Sequence, residues 1–281
     1  MMGGNVFFKA ENLQKVGAFK ARGAVNSLQK LSEEERKKGV ATHSSGNHGQ
    51  ALAWAARELG IPATVVVPSN APSVKVEAMK GYGADVIFCE PTLEARESTL
   101  ANVLQKTGGI EIHPYNQVGT IEGQSTCAQE ILEQCPEVDV IFCPLGGGGL
   151  LSGTLLATRD HKAEVYGVEP EMADDGLQSL RAGKIIPSVN PNTMADGLKT
   201  SLGSLTFPII SEHVKDIFTA SEDDIVKWTR WMWMRTKMVI EPSAAVGIAA
   251  AANHSHLIKG KNTVIILTGG NVDIAKMASH F

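Results

Sequence analysis

The sequence lacks several things, and each absence narrows what the chain can be. No apolar stretch reaches the roughly 18 residues that a membrane span needs, so no membrane partner is expected. Basic residues are not in surplus: 26 Lys and Arg stand against 30 Asp and Glu, a formal net charge of −4. No stripe of Lys and Arg marks a nucleic-acid footprint either. The four cysteines, Cys89, Cys127, Cys135 and Cys143, form no C-x-x-C pair and no zinc spacing. With no signal peptide ahead of them, they read as reduced, mostly buried thiols of a cytoplasmic protein. Internal repeats, low-complexity tracts and a clear linker are also missing.

What remains is an ordinary globular composition, 43% apolar and 20% charged over 281 residues. That length builds a core without disulfide or metal staples, and suggests two domains or one large α/β unit. Glycine is the outlier, with 28 residues where an average chain has about 7%. Short strands and helices alternate. Strands are expected at Gly39–His43, Ala63–Val67, Asp85–Cys89 and Ile110–His113, with helices at Gly49–Leu59, Ser73–Lys80 and Leu93–Lys106 between them. The second half repeats the style, with strands Val138–Cys143, Val165–Val168 and Thr263–Leu267 and helices Thr120–Gln134, Leu150–Thr158, Glu222–Lys237 and Ser243–Ala252. Continuous apolar strands joined by helices predict parallel sheets with crossover helices. Residues 169–220, with several Pro and Gly, are the least regular. The Trp- and Met-rich stretch 223–238 reads as a core or subunit-interface helix.

Three segments carry possible chemistry. Gly146-Gly147-Gly148-Gly149 joins a strand to a helix beginning at Leu150, where bare N–H groups and a helix dipole converge on an anion. The run is neither G-x-G-x-x-G nor a P-loop, and it suits one phosphate better than a pyrophosphate; close packing alone is the plainer alternative. Thr42-His43-Ser44-Ser45-Gly46-Asn47-His48-Gly49 also follows a strand and opens a helix. A plain cap would explain one of its polar residues but not the cluster, which offers donors to a small carboxylate. The G-x-S-x-G of a hydrolase is absent. In Gly17-Ala18-Phe19-Lys20-Ala21-Arg22-Gly23-Ala24, a lysine lies among an aromatic and small residues. It reads either as a surface charge or as a buried amine whose lowered pKa suits it to imine formation.

Together, a lysine for an imine, a loop for a phosphate and a loop for a carboxylate describe a pyridoxal-phosphate enzyme acting on an amino acid. These segments, with Phe8-Lys9, Glu11–Gln14, Ala195-Asp196-Gly197, Ile240-Glu241-Pro242 and Leu267–Asp273, resemble the serine racemase and serine/threonine dehydratase family. That family belongs to the fold-type II, tryptophan synthase β-like pyridoxal-phosphate enzymes, and the resemblance runs along essentially the whole chain. It implies a small substrate-binding domain at 39–116 inserted in a larger cofactor-binding domain, 1–38 and 117–281.

By this resemblance Lys20 holds the cofactor covalently and Phe19 lies near its ring. Asn47 bonds the phenolic oxygen, Gly146, Gly147, Gly148, Gly149 and the Leu150 amide hold the phosphate, and Thr268 faces the pyridine nitrogen. Gly197 and Glu241 line the cofactor's other edge. Ser44, Asn47 and His48 would hold the substrate carboxylate, with Arg96 on the substrate side. Lys20 would move the α-proton on one face and Ser45 on the other. Glu169, the Ala173 carbonyl and Asp175 match a divalent-cation site, for Mg2+, Ca2+ or Mn2+. Gln50 and Lys15 fall at positions of an activating ATP site between subunits of a homodimer.

The expected activity is serine racemisation with serine/threonine dehydration. The alternatives are a dehydratase only (threonine or 3-hydroxyaspartate), an aspartate racemase, or a shortened inactive form. Residues 113–120 depart from the family's substrate-facing loop. The resemblance also begins near residue 5, so a short form or an incomplete start is expected.

Overall fold

The computed structural model describes residues 3–281. Nine strands occur among them: β1 (Asn5–Ala10), β2 (Val40–His43), β3 (Ala63–Pro68), β4 (Asp85–Cys89), β5 (Ile110–Glu111), β6 (Val140–Pro144), β7 (Glu164–Pro170), β8 (Asp216–Ala220) and β9 (Asn262–Leu267). The helices, in chain order, are α1 (Lys20–Gln29), α2 (Glu33–Lys38), α3 (Asn47–Glu58), α4 (Ser73–Gly81), α5 (Leu93–Thr107), α6 (Val118–Gln134), α7 (Gly149–Thr158), α8 (Asp175–Ala182), α9 (Thr206–His213), α10 (Glu222–Thr236), α11 (Pro242–Asn253) and α12 (Ile274–Ala278). They fall into two compact units. One is made of the residues up to Phe19 together with Gln124–Phe281, and the other is Lys20–Gly123, inserted in sequence between those two parts.

The larger unit holds a five-stranded sheet in the order β1-β9-β6-β7-β8, every pairing parallel. Its central strand β6 (VIFCP) is buried at every position, because a parallel sheet is covered on both faces. One apolar layer joins Val140, Phe142, Val168 and Ile265 to the small residues of α11 and to Trp228 and Met232 of α10. The other joins Ile141, Cys143 and Ile266 to Leu151 and Leu155 of α7 and Ile210 of α9. The Trp-rich helix therefore supplies core. Trp228 is buried, Trp231 and Trp233 pack against the same layer, and Trp233 donates its indole N–H to the Ile240 carbonyl at 2.9 Å.

The smaller unit holds a four-stranded parallel sheet, β4-β3-β2-β5. Alanines on α3 let it lie close to α1 and to the sheet: Ala51, Ala53, Ala55 and Ala56 are all buried. The strand expected at Ile110–His113 stops at Glu111. His113 turns out of it, and its ring Nδ1 accepts the Asn116 N–H at 2.8 Å and that of Tyr115 at 3.3 Å, which closes a loop instead of extending the strand.

Both sheets reverse their strand order once. In the larger unit β6 is followed by β7 on one side, and the chain returns as β9 on the other. In the smaller unit β2 is followed by β3 on one side and flanked by β5 on the other. A crevice opens at the carboxyl ends of the strands at each such switch point, where α/β sheets bind ligands.

Candidate active site

The switch point of the larger unit carries the glycine loop and Thr268. Residues 146–150 are all buried between the end of β6 and the start of α7. Gly148 is the N-cap, at φ 90° and ψ −3°, and no side chain caps the helix. Its first N–H groups are therefore left for a ligand. Close packing explains part of the glycine run as well. A Cβ at Gly146 would lie 3.1 Å from the Gly197 carbonyl, and one at Gly148 would lie 2.8 Å from Thr206 Oγ1 and Ile210 Cδ1.

Thr268 follows β9 directly. Its hydroxyl is buried and has no hydrogen-bond partner in the protein. Its carbonyl accepts the Phe19 N–H at 3.0 Å. The chain before Lys20 is fastened to the same strand end: Ala18 bridges Gly269, the Gly17 carbonyl accepts from Gly270 at 2.9 Å, and Asn271 donates to the Val16 carbonyl at 2.7 Å. Gly17 has to be glycine, because φ is +67° and a Cβ would fall 2.8 Å from Asn271 Oδ1. Glu241, the N-cap of α11, is buried and its N–H donates to the Gly269 carbonyl at 2.9 Å. Gly197 donates its N–H to Ser243 Oγ at 3.0 Å. The carboxyl ends of the neighbouring strands β6 and β9 thus gather Phe19, Gly146–Leu150, Gly197, Glu241 and Thr268.

The switch point of the smaller unit carries Lys20, the 44–48 loop and the residues after β5. Lys20 opens α1 and its ammonium donates to the Pro114 carbonyl at 2.7 Å. The residue keeps partial exposure, but its amine is enclosed, and desolvation lowers its pKa to about 8. Gly46 is the N-cap of α3 and no side chain caps that helix, so a plain capping role does not account for Ser44, Ser45 and Asn47. Ser44 Oγ instead accepts the Gly46 N–H at 3.2 Å.

His48 is buried, with Nε2 2.8 Å from the Ile112 carbonyl. That nitrogen therefore carries the ring proton, and Nδ1 is left as a buried acceptor without a partner. Burial, followed by the Lys20 charge, lowers its pKa to about 3. A neutral ring in this tautomer has no donor to spare, so any hold on a carboxylate comes from the His48 backbone N–H in the first turn of α3.

His113 and His43 lie in segments that the sequence singled out, but neither had been given a role of its own. His113 is lowered to about 4 by burial, then by His43 and Lys20; His43 is lowered by burial, then by Arg96. With Nδ1 of His113 accepting backbone N–H groups, its proton sits on Nε2. Arg96 lies in the first turn of α5, where Nε donates to the Thr92 carbonyl at 3.3 Å.

Glu169, Ala173 and Asp175 lie past the end of β7. Glu169 accepts the N–H groups of Gly176 and Leu177, each at 2.9 Å, in the first turn of α8. Burial raises its pKa to about 8 against the pull of these amides, and the Asp175 charge adds to the rise. Asp175 is raised to about 6 by burial; the Ser188 hydroxyl lowers it somewhat, but neither carboxylate oxygen has a hydrogen bond of good geometry. Among the described residues no group of three or more His, Cys, Asp or Glu is gathered for a metal.

Two hydroxyls that sequence could not single out complete the cradle. Thr206, wholly buried at the start of α9, donates to the Gly147 carbonyl at 2.8 Å, and Ser243 holds Gly197. They lie 59 and 46 residues from their partners.

The fold and this strand-end cradle define a fold-type II pyridoxal-phosphate enzyme. Residues 1–269 match the family described as pyridoxal-phosphate dependent enzyme, and the chain belongs to it. It is 46% identical to the serine racemase of Homo sapiens over 283 residues, covering 98% of this chain and 83% of that one. It is also 46% identical to the L-threo-3-hydroxyaspartate ammonia-lyase of Saccharomyces cerevisiae, over 99% of this chain and 86% of the other. Among solved structures it is similar to maize serine racemase, with a TM-score of 0.96 and 43% identity, covering 99% of this chain and 87% of that one.

Proposed function

We propose that the chain racemises serine and dehydrates serine or threonine to the 2-oxo acid and ammonia, using pyridoxal phosphate. The observation that carries this reading is Thr268, a buried hydroxyl without a partner beside a glycine cradle whose helix start is uncapped. Those groups fit the pyridine nitrogen and the phosphate of the cofactor. Phe19, Gly197 and Glu241 line it, and Asn47 bonds its phenolic oxygen. The bound cofactor supplies an electron sink that makes the α-proton of an amino acid acidic. A neutral hydroxyl at the nitrogen keeps that sink modest, which favours racemisation and elimination over transamination.

The protein's own groups then decide the outcome. The N–H groups at the start of α3, with Ser44, Ser45 and Asn47, hold the substrate carboxylate. Lys20, with a pKa near working pH, takes or returns the α-proton on one face. Ser45 serves the opposite face, and two groups on two faces give inversion. When Lys20 acts alone, the α-proton it takes is not replaced on the other face, and the β-hydroxyl takes up a proton and leaves as water.

The smaller unit, with residues 39–116 as its substrate-binding part, governs specificity. Glu169, the Ala173 carbonyl and Asp175 suit Mg2+, Ca2+ or Mn2+: two buried carboxylates raised by desolvation gain from a neutralising hard cation. A homodimer, activation by ATP near Gln50 and Lys15, and a cytoplasmic location extend the same reading. No helix among the described residues is long and apolar enough to cross a membrane.

A second reading is favoured by one observation. His43 at the end of β2, His113 after β5 and Arg96 at the start of α5 form a set of donors suited to a second carboxylate. On that reading 3-hydroxyaspartate is the preferred substrate for ammonia release, or aspartate for racemisation. Incubation with serine, threonine, aspartate and 3-hydroxyaspartate, followed by chiral chromatography and a 2-oxo acid assay, separates the two. Neither inversion nor 2-oxo acid from any of them would overturn both.

A further inference from the structure

A cradle of peptide groups binds an anion only if its N–H groups, and not its carbonyls, face the charge. In the loop after β6 this orientation is decided from outside the loop. The Thr206 hydroxyl accepts the Gly203 N–H at 2.8 Å and donates to the Gly147 carbonyl at 2.8 Å. A second carbonyl, that of Gly203, lies 3.3 Å away, so the single hydroxyl proton is better spent on Gly147. Thr206 is fully buried, and its backbone carbonyl lies 3.4 Å from Ser152 Oγ on α7. The side chain is therefore fixed by α9 on one side and by the loop and α7 on the other.

A trans peptide is planar, with its C=O and N–H pointing in opposite directions. Holding the Gly147 carbonyl on Thr206 therefore turns the Gly148 N–H the other way, out of the loop's packed side. The restraint is needed because a peptide between two glycines meets no Cβ barrier to flipping. Gly148 already sits at φ +90°, a conformation on the glycine-only side of the map. Flipped, the same peptide would present a carbonyl where an anion needs a donor.

We propose that Thr206 is a positioning residue that locks the Gly147–Gly148 peptide in the phosphate-binding orientation. The inference rests on the proposed role of Gly146–Gly149 as the phosphate cradle. It differs from simple packing, because packing would be served by the shape of Thr206 and the lock needs its hydroxyl.

The test compares the affinity of the cofactor-free protein for pyridoxal phosphate and for pyridoxal, which lacks the phosphate, with a thermal melt of each variant. Thr206→Val should weaken pyridoxal phosphate between about tenfold and a hundredfold, the size of one misdirected hydrogen bond to a charged group. It should leave pyridoxal unchanged, and Thr206→Ser should restore the preference. If the Val variant does not fold, Thr206→Ala takes its place as the hydroxyl-free form. Equal loss of both ligands, or no loss of either, overturns the lock. A wild-type protein that binds the two ligands equally overturns the cradle itself, and the lock with it.

Discussion

Desolvation brings the Lys20 amine down from 10.5 to about 8, so that it is half neutral at about pH 8. Only the neutral amine attacks a carbonyl, so attachment of the cofactor to cofactor-free protein should speed up as pH rises to about 8 and then level off. A rate still climbing toward pH 10 would show that Lys20 is not desolvated. Lys20→Ala should leave the protein colourless with added cofactor. The neighbouring hydroxyl predicts a split: Ser45→Ala should lower serine inversion by about a hundredfold or more while ammonia release from one enantiomer persists. Chiral product analysis reads both, and equal loss would mark Ser45 as structural. At this scale the sequence was informative where a residue's type was unusual for its surroundings. Lys20 among small residues and the hydroxyl, amide and imidazole cluster at 42–49 stood out. His48 shows what type alone hides, since its tautomer depends on the Ile112 carbonyl, 64 residues away.

Strand, glycine loop and helix form one device at the end of β6, and its weak point is steric. Gly148→Ala would place a methyl group 2.8 Å from Thr206 Oγ1 and Ile210 Cδ1, at a positive φ. It should cost about 1–3 kcal/mol of stability and much of the affinity for the cofactor's phosphate. Gly183→Ala, also at positive φ (+66°) but facing open space, is the control, and its melting point should fall less. The β6–α7 unit was legible because its strand is a continuous apolar run ended by a distinctive loop, and β2–α3 because a short strand runs into the polar cluster 42–49. Within 169–220 the chain was harder to read. Pro and Gly there flank short elements, α8, α9 and β8, each of only five to eight residues. β1 was also missed, since its alternating burial reflects an edge position that only pairing with β9 explains. Thr206 lies in this hard stretch, which is why the clamp on the glycine loop was not visible from the motif.

For the molecule as a whole, bound ligands should show up as stability, because anything that binds only the folded state raises the melting point. Mg2+ should raise it in the wild type, and Asp175→Asn should abolish that shift while leaving the response to pyridoxal phosphate intact. A Mg2+ shift that survives the substitution would remove Glu169 and Asp175 as the cation site. The division into two parallel sheets was readable from the alternation of strands and helices. The exact point of division was not, because α1 and α6, at its two ends, are continuous with neighbouring elements and carry no linker composition. That division has a consequence for how such enzymes can diversify. The segment from Lys20 to Gly123 is contiguous in the gene, so recombination between relatives could exchange it as one cassette. The glycine loop 146–149 and Thr268 would stay behind with the recipient, while Lys20 would travel with the 44–48 loop and the residues after β5. On the proposed roles, a chimera made this way would inherit its base and its carboxylate grip from one parent, already matched to each other, and would ask of the other only a place to hold the cofactor.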